Sequence, residues 1–176
     1  MLVDREIINC VNNGRIVIKP FKKENLGPNS YDLHLGNTLL VYKNNVLDVK
    51  KKPETVFINI PDDGFKLVPG ELYLASTVEY TESKYHVPRI DGKSSTGRLG
   101  INVHITAGLG DVGFCGHWTL EITVVKEIII YPGIPIAQIY YENINAYPLV
   151  TYNKRRNSKY NKQKDPTPSK MYLNFK

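Results

Sequence analysis

The sequence predicts an all-β fold with one short helix at its N-terminus, and three observations support this. Short runs rich in β-branched and aromatic residues recur along most of the chain. The pairs Pro69-Gly70 and Pro132-Gly133 are strong turn signals, and each leads into such a run. Helical periodicity is confined to the first residues. The pattern favours a β-sandwich, jelly roll or barrel over a sheet built from βαβ units.

The N-terminal helix is predicted from the spacing of its apolar residues. Val3, Ile7, Ile8 and Val11 recur at helical intervals. Asn13-Gly14 follows them and is a typical helix stop. One short amphipathic helix therefore precedes the β-rich part of the chain.

The strand predictions follow in chain order. Residues 31–35 alternate apolar and polar side chains with the period of two that a half-buried strand requires. Asp62-Asp63-Gly64 is predicted as a turn. The remaining strands are predicted at 38–42, 55–60, 71–77, 101–106, 119–125, 127–131 and 135–141.

Composition excludes several classes of protein. The 176 residues fit one domain, and a hydrophobic fraction of 41% excludes wholesale disorder. No run approaches the ~18 apolar residues that a membrane helix needs. The first ten residues include acids where a signal peptide would be basic and then apolar, so we expect a cytoplasmic protein, of a cell or of a virus's host. Cys10 and Cys115 are expected to be reduced thiols.

Positive charge is concentrated at the C-terminal end. The chain has 23 Lys plus Arg and 17 Asp plus Glu, a net charge of +6. Residues 1–151 hold 15 basic and 16 acidic residues, whereas residues 152–176, here called the tail, hold 8 basic residues and one acid. A uniformly basic nucleic-acid coat protein does not fit this distribution. Two interpretations of the tail remain: a disordered segment that touches nucleic acid non-specifically, or a flap that closes over a polyphosphate.

The sequence lacks the motifs of zinc and P-loop sites. Its histidines are scattered, its two cysteines lie far apart, and no zinc-deaminase or H-E-x-x-H pattern occurs, so each histidine is expected to be structural. Gly92-Lys93-Ser94 contains the letters of a P-loop, but Val87 stands where the motif requires glycine. No helix is predicted after this segment.

The segment 92–98 combines cations, hydroxyls and glycines in a short space. Lys93, Ser94, Ser95 and Arg98 lie within six residues, where small neighbours let the backbone approach a ligand and the cations suit phosphate oxygens. The alternative interpretation is an ordinary solvated turn, which composition alone favours.

Two acids are candidates for proton transfer. Glu121 lies between apolar neighbours in a predicted strand, where acids are uncommon, and such a carboxylate suits a proton shuttle. It could also simply face solvent on a half-exposed strand. Asp111 lies in a glycine-rich stretch, where aspartate is most often a turn former.

Nearly the whole chain resembles the dCTP deaminase family, which shares its fold with the trimeric dUTPases. Single motifs are weak, but their order and spacing are specific. The matching segments are 28–36, 68–71, 92–100, 106–111, 113–116, 119–121, 132–133, 136–139, 158–163 and 166–169. The resemblance implies a distorted jelly roll of the dUTPase-like β-clip type, a homotrimer, and active sites at subunit interfaces.

The resemblance also implies a role for individual residues. Glu121 matches the general acid/base that activates water for attack on C4 of cytosine. Ser94 and Arg98 match residues that position the water and base or hold Glu121, and Ala107 matches a residue whose backbone borders them. The matched substrate-binding set is Lys93, Ser94, Ser95, Thr96, Gly97, Arg98, Ala107, Asp111, Thr119, Leu120, Glu121, Gln138, Tyr152, Lys159 and Gln163. Mg²⁺ would accompany the triphosphate, and no zinc is needed.

Two features resemble the bifunctional, dUMP-forming members. Residues 106–108 stand where single-activity deaminases carry basic residues before the aspartate. The tail contains the segment 166–169, which also matches the bifunctional members. In those enzymes the residue matching Asp111 helps activate water for attack at the α-phosphorus, which releases pyrophosphate. Lys93 stands where many members carry arginine, so it offers a point charge rather than a bidentate fork.

The leading hypothesis is therefore a single-domain dCTP deaminase, residues 1–176, whose tail closes the active site. Two versions of it stay open: a reaction that stops at dUTP, and one that continues to dUMP and pyrophosphate. One alternative is a dUTPase without deaminase activity, although such enzymes commonly place an aromatic-rich hairpin between the two acids. The other is a non-enzymatic relative that binds nucleotide or nucleic acid, which predicts salt-sensitive binding and no turnover. The expected partners are dCTP or dUTP and two further copies of the chain, with no membrane and no stable nucleic-acid partner.

Overall fold

Strands make up most of the regular structure of the computed structural model, which describes residues 1–106 and 108–175. In that part, the strands are β1 Ile16–Lys19, β2 Tyr31–Tyr42, β3 Thr55–Asn59, β4 Phe65–Leu67, β5 Tyr73–Ser83, β6 Val87–Gly92, β7 Ile101–Asn102, β8 Cys115–Val124, β9 Ile128–Ile130 and β10 Pro135–Glu142. The helices are α1 Asp4–Asn12 and α2 Ser94–Arg98, with 3₁₀ turns at Lys23–Asn25, Tyr152–Lys154 and Met171–Phe175. The predicted fold class, all-β with a short N-terminal helix, is confirmed.

One eight-stranded antiparallel sheet dominates the architecture. Its strands follow the order β6-β10-β2-β5-β8-β7, with β1 added to β5 and β3 added to β2. β4 and β9 form a separate two-stranded sheet. Consecutive strands of the chain are often not neighbours in the sheet, as in a jelly roll rather than a simple meander.

β2 and β5 are long strands, and each pairs with more than one other strand along its length. β2 pairs with β10 through its first residues and with β3 and β5 through its last. The register shifts between Leu35 and Leu39, where the ladder to β5 is interrupted. Such irregularities bend a strand and let it pass from one face of a sandwich to the other.

The core lies between these faces and is closed at one end by α1. Tyr31, Leu33 and Leu35 are fully buried, which confirms the alternation read from the sequence. α1 buries Ile7 and Cys10, and Gly14 ends it with φ of 71°, a conformation that glycine adopts without strain. No helix in residues 1–106 or 108–175 is long and apolar enough to cross a membrane.

Short elements are where the structure departs from the sequence predictions. The strand predicted over 101–106 ends at Asn102, because the chain then leaves the sheet to form one wall of a cleft. β1, β4 and β6 were not predicted, since each is too short or too irregular to show a period of two. A five-residue helix, α2, follows Lys93 where no helix was expected.

Candidate active site

A cleft of about 580 Å³ lies beside β8. Its walls come from β8, from the segment that follows β7, and from the tail. Glu121 and Asp111, the two acids singled out in the sequence, both line it. This cleft is the candidate active site.

The cleft opens at a gap in the hydrogen bonding of β8. Near the end of the strand, Glu121 N donates to Val103 O (2.9 Å), and near its start His117 N donates to Gln163 O of the tail (2.9 Å). Alternate residues of a strand direct their backbone groups to the same edge, so the N–H and C=O of Thr119 face the space between these contacts. The strand edge therefore offers one donor and one acceptor to a ligand in the cleft.

The Glu121 side chain is oriented by a hydrogen bond from a neighbouring backbone N–H. Its side chain is half-buried, and both chain neighbours, Leu120 and Ile122, belong to the core. Its Oε2 accepts a hydrogen bond from Ile105 N at 2.9 Å. This bond orients the carboxylate, whose remaining lone pairs can take a proton from water or from a ligand.

Two glycines bring the loop before Asp111 against β6. Ile90 N donates to Gly108 O at 2.7 Å. A Cβ on Gly108 would lie 1.7 Å from Ile90 O, and one on Gly110 would lie 2.3 Å from the Trp118 ring. Only residues without a side chain permit this approach, which carries the loop to the cleft.

Asp111 lies on a wall shared by two cavities. It is exposed, and its carbonyl accepts a hydrogen bond from Phe114 N (3.0 Å), as expected for a turn. It lines the main cleft and also a second cavity of about 270 Å³, to which Arg155 contributes. An exposed carboxylate here can act on a ligand that extends from one cavity towards the other.

The tail covers one side of the cleft. Lys162 N donates to Cys115 O (2.7 Å), and Gln163 Nε2 donates to His117 O (2.8 Å), so this stretch is bonded to the edge of β8. Gln163 Oε1 is buried and has no partner within the described residues, which leaves it available to a donor on a ligand.

Tyr152 and Lys159 occupy different positions in the tail. Tyr152 lines the cleft, and its hydroxyl accepts a hydrogen bond from Tyr160 N (3.0 Å). Burial raises the pKa of Tyr152, so the phenol stays protonated and can donate. Lys159 contacts Asn174 Oδ1 and does not line the cleft.

The remaining predicted site residues form a second group, away from this cleft. Ser94, Ser95 and Arg98 are exposed on α2, and the ammonium of Lys93 forms an ion pair with Asp32. The members of this group are Lys93, Ser94, Ser95, Thr96, Gly97, Arg98 and Gln138. Within one chain, the structure therefore divides the predicted site into two groups.

Two of the predicted binding residues, Thr96 and Leu120, are buried within the fold. Thr96 is buried, and its hydroxyl donates to Lys93 O (2.8 Å), which closes the first turn of α2. The side chain of Leu120 is fully buried, so only its backbone can meet a ligand. Ala107 lies outside the described residues.

Sequence reasoning missed several residues of the cleft. His104 lines it, and its Nε2 is buried without a partner in the described part of the chain. Tyr42 and Trp118 line it as well, and so does Tyr160, which the sequence placed in the matched tail segment 158–163 without a binding role of its own. The available signal for His104 was its place four residues before Gly108, where the glycine-rich loop that carries Asp111 begins.

The other three histidines have structural partners. His34 Nδ1 lies 2.6 Å from the buried carboxylate of Glu79. His86 Nε2 lies 3.5 Å from Cys10 Sγ, and His117 Nδ1 lies 3.0 Å from Thr77 O. Among the described residues, no three His, Cys, Asp or Glu side chains are grouped closely enough to hold a metal ion.

Comparisons with known proteins agree on one family. Residues 1–144 match the family model described as dCTP deaminase-like. The chain is 46% identical over 175 residues to a protein of Clostridium beijerinckii named "dCTP deaminase, dUMP-forming", covering 99% of this chain and 98% of that protein. Proteins of the same name from Hathewaya histolytica and Cytophaga hutchinsonii are 49% and 50% identical, over 99% and 91% of this chain and 99% and 90% of theirs.

The fold is shared with a solved structure. The crystal structure of 2′-deoxycytidine 5′-triphosphate deaminase from Agrobacterium tumefaciens superimposes with a TM-score of 0.64 at 20% identity. The match covers 82% of this chain and 48% of that one, so this chain spans about half of its length. At this identity the likeness extends to the fold, and it agrees with the dUTPase-like β fold predicted from the sequence.

Proposed function

This chain belongs to the dCTP deaminase-like family, and we propose that it deaminates dCTP to dUTP and ammonia and then cleaves dUTP to dUMP and pyrophosphate. Relatives that are 46–50% identical over at least 91% of the chain carry the name of that combined reaction. The observation that carries the proposal is that Glu121 and Asp111 line the same cleft. Two carboxylates in one site can serve two hydrolytic steps.

Glu121 is the general acid/base of the deamination. It takes a proton from water as the oxygen attacks C4 of cytosine, and it returns a proton as the C4–N bond breaks and ammonia leaves. Its hydrogen bond from Ile105 N holds the carboxylate in one orientation throughout. A half-buried position also limits competing water.

The free edge of β8 recognises the base. Cytosine presents a ring nitrogen and a carbonyl as acceptors, and an amino group as a donor. The Thr119 N–H can donate to one of the two acceptors, and the Thr119 C=O and the free Oε1 of Gln163 can accept from the two N–H bonds of the amino group. Backbone groups held by strand pairing are well suited to discriminate such a pattern, because they cannot rotate away.

Asp111 serves the second step. In our proposal its carboxylate accepts a proton from the water that attacks the α-phosphorus, and the bond to the bridging oxygen breaks to release pyrophosphate. Its exposed position at the junction of two cavities supports this role, since a triphosphate must extend away from the base. Arg155 lines the second cavity, where it would face anionic oxygens.

A homotrimer would unite the two groups of site residues. The group on α2 and β10 supplies cations and hydroxyls, whereas the cleft supplies the acids, and in one chain they are separate. We propose that Lys93, Ser94, Ser95 and Arg98 of one copy complete the cleft of its neighbour, with Gln138 close by. Cyclic assembly repeats one such interface three times.

Magnesium would enter with the substrate. No group of three metal-ligating side chains was found among residues 1–106 and 108–175, whereas triphosphate oxygens bind Mg²⁺ readily. The ion would offset the charge of the triphosphate, and Asp111, an exposed carboxylate of the cleft, would be available to hold it or its bound water.

Product analysis tests the proposed function. Purified protein incubated with dCTP and Mg²⁺ should release ammonia, and separation of the nucleotides should show dUMP with pyrophosphate. Accumulation of dUTP would show that the protein does not cleave dUTP to dUMP and pyrophosphate. Cleavage of added dUTP without ammonia release from dCTP would identify a dUTPase, and salt-sensitive nucleic-acid binding with no turnover would favour a binding protein.

A further inference from the structure

Lys93, a proposed phosphate-binding residue, is engaged by an acid of its own chain. Its ammonium forms an ion pair with Asp32 Oδ1, and the two side chains are only 23% and 29% exposed. Lys93 follows β6 and Asp32 lies on β2, two strands that are separated by β10. The lysine therefore reaches across a strand to meet the carboxylate.

The strand between them carries Gln138, another residue of the same proposed group. Gln138 pairs in register with Asp32 on one side and with Asp91 on the other. Three polar side chains thus form a row across three strands, and Lys93 lies over one end of it. The row places a carboxylate among the residues that are proposed to receive phosphate.

We propose that Asp32 is a positioning residue that acts as the resident counter-ion of Lys93 and weakens triphosphate and pyrophosphate binding at this site. The inference rests on the proposed function, since it takes Lys93 as a phosphate ligand. A carboxylate and a phosphate oxygen compete for the same ammonium protons, and a carboxylate that remains nearby repels the bound phosphate. Partial shielding from solvent strengthens both effects.

The benefit of such an acid is release of product. A site built only of cations would hold pyrophosphate tightly after each cycle, whereas Asp32 reclaims the Lys93 ammonium as the anion leaves. Because the pair is largely shielded from solvent, its loss can also change stability, so the thermal melting of each variant is measured beside its kinetics.

Kinetics of Asp32→Asn test the inference. We expect KM for dCTP, and the inhibition constant for added pyrophosphate, to fall roughly three- to tenfold at low salt, with kcat unchanged or lower. In a Lys93→Met background, Asp32→Asn should have a smaller effect, since no ammonium remains to be released. Asp32→Ser provides a second variant if the first folds poorly, as judged by thermal melting.

Asp91→Asn is the matched control. Asp91 lies in the same row, but its carboxylate accepts a hydrogen bond from Tyr140 OH (2.6 Å). This variant should leave KM and the pyrophosphate constant within twofold of wild type. An equal decrease in Asp91→Asn, or an equal effect of Asp32→Asn with and without Lys93, would show a general field effect and overturn the inference.

Calorimetric titration with pyrophosphate separates this inference from the proposed function. If the wild-type protein releases no ammonia from dCTP, the proposed function fails, yet the titration still compares wild type with Asp32→Asn. Tighter pyrophosphate binding by Asp32→Asn supports the counter-ion role. Equal affinity overturns it, whatever the turnover of dCTP.

Discussion

Glu121 is the residue on which deamination depends most directly. Glu121→Gln keeps the length of the side chain and an oxygen that can still accept from Ile105 N, but it removes the ability to take up a proton. We expect ammonia release from dCTP to fall by about 10²–10⁴-fold, the usual contribution of general acid–base catalysis. Glu127→Gln is the control, since Glu127 is exposed and paired with Lys66 on the surface. A normal rate of ammonia release by Glu121→Gln would contradict the assignment of Glu121 as the general acid/base.

Asp111 should affect the second step alone. In Asp111→Asn the turn is kept, because the hydrogen bond to Phe114 N uses the backbone carbonyl. We expect ammonia release to stay within a few-fold of wild type while dUMP formation falls by about 10²-fold or more, so that dUTP accumulates. Chromatographic separation of dUTP from dUMP measures this. Equal loss of both products would show that Asp111 supports the cleft as a whole.

At the level of elements, α1 packs against a buried histidine. His86 lies against Cys10 of α1, and burial lowers the pKa of His86 below its ordinary value of about 6.5. The unfolded chain therefore takes up this proton more readily, so the contribution of His86 to stability is present above pH 6.5 and is lost as the pH falls. We expect the melting temperature to drop between pH 7.5 and 5.5, and to drop less in His86→Gln. An equal drop in both proteins would assign it to other groups.

The tail is the element whose removal separates function from folding. It is bonded to β8 through Lys162 and Gln163, and its described residues, 152–175, contribute no strand to the main sheet. Deleting residues 153–176 should lower the rate of dCTP turnover at least 100-fold, because the cleft loses one wall. Circular dichroism should still show a cooperatively folded β protein. If turnover survives the deletion, the tail is a charged segment without a catalytic role.

Proteolysis tests whether the tail moves. The flap interpretation predicts that trypsin cuts at the tail lysines more slowly when dCTP is bound to Glu121→Gln, the slow variant. Cys10 and Cys115 give a second measure, since both are buried but only Cys115 lies beneath the tail. Equal cleavage and equal thiol reactivity with and without nucleotide would contradict closure.

The elements that could be predicted are those whose side chains show a simple period. Tyr31 to Leu35 alternate because one face of β2 is buried, and Pro132-Gly133 marks the turn before β10. The bulge between Leu35 and Leu39 has no such signature, since it depends on which strand β2 meets at each end. α2 was missed because five residues are too few for a helical period.

Two residues of the candidate site could be predicted to act together because they are close in sequence. Asp111 and Glu121 are ten positions apart on a loop and the strand that follows it, so they reach one cleft. The pairing of Lys93 with Asp32 could not be read from the sequence, because it depends on β10 lying between β6 and β2. The sequence predicts a structural role for His104, because nothing in it shows which histidine lacks a partner.

For the whole molecule, the charge distribution acquires a physical explanation. The body is near neutral, and its cleft carries the carboxylates of Glu121 and Asp111. A highly charged anion would be repelled from such a cleft unless cations were brought to it. Arg155 of the basic tail lines the adjoining cavity, and in our proposal the group on α2 supplies further cations from a neighbouring copy.

Mixed trimers test whether each active site is shared between chains. Glu121→Gln and Arg98→Ala are each expected to be inactive alone, because each lacks one half of the site. After co-refolding in equal amounts, a site is intact only when the first chain retains Glu121 and its neighbour retains Arg98. Random mixing places both at about one site in four, so about a quarter of the wild-type rate should return. A mixture of Glu121→Gln with Glu121→Ala should recover nothing, and failure of the first mixture to recover activity would place the whole site within one chain.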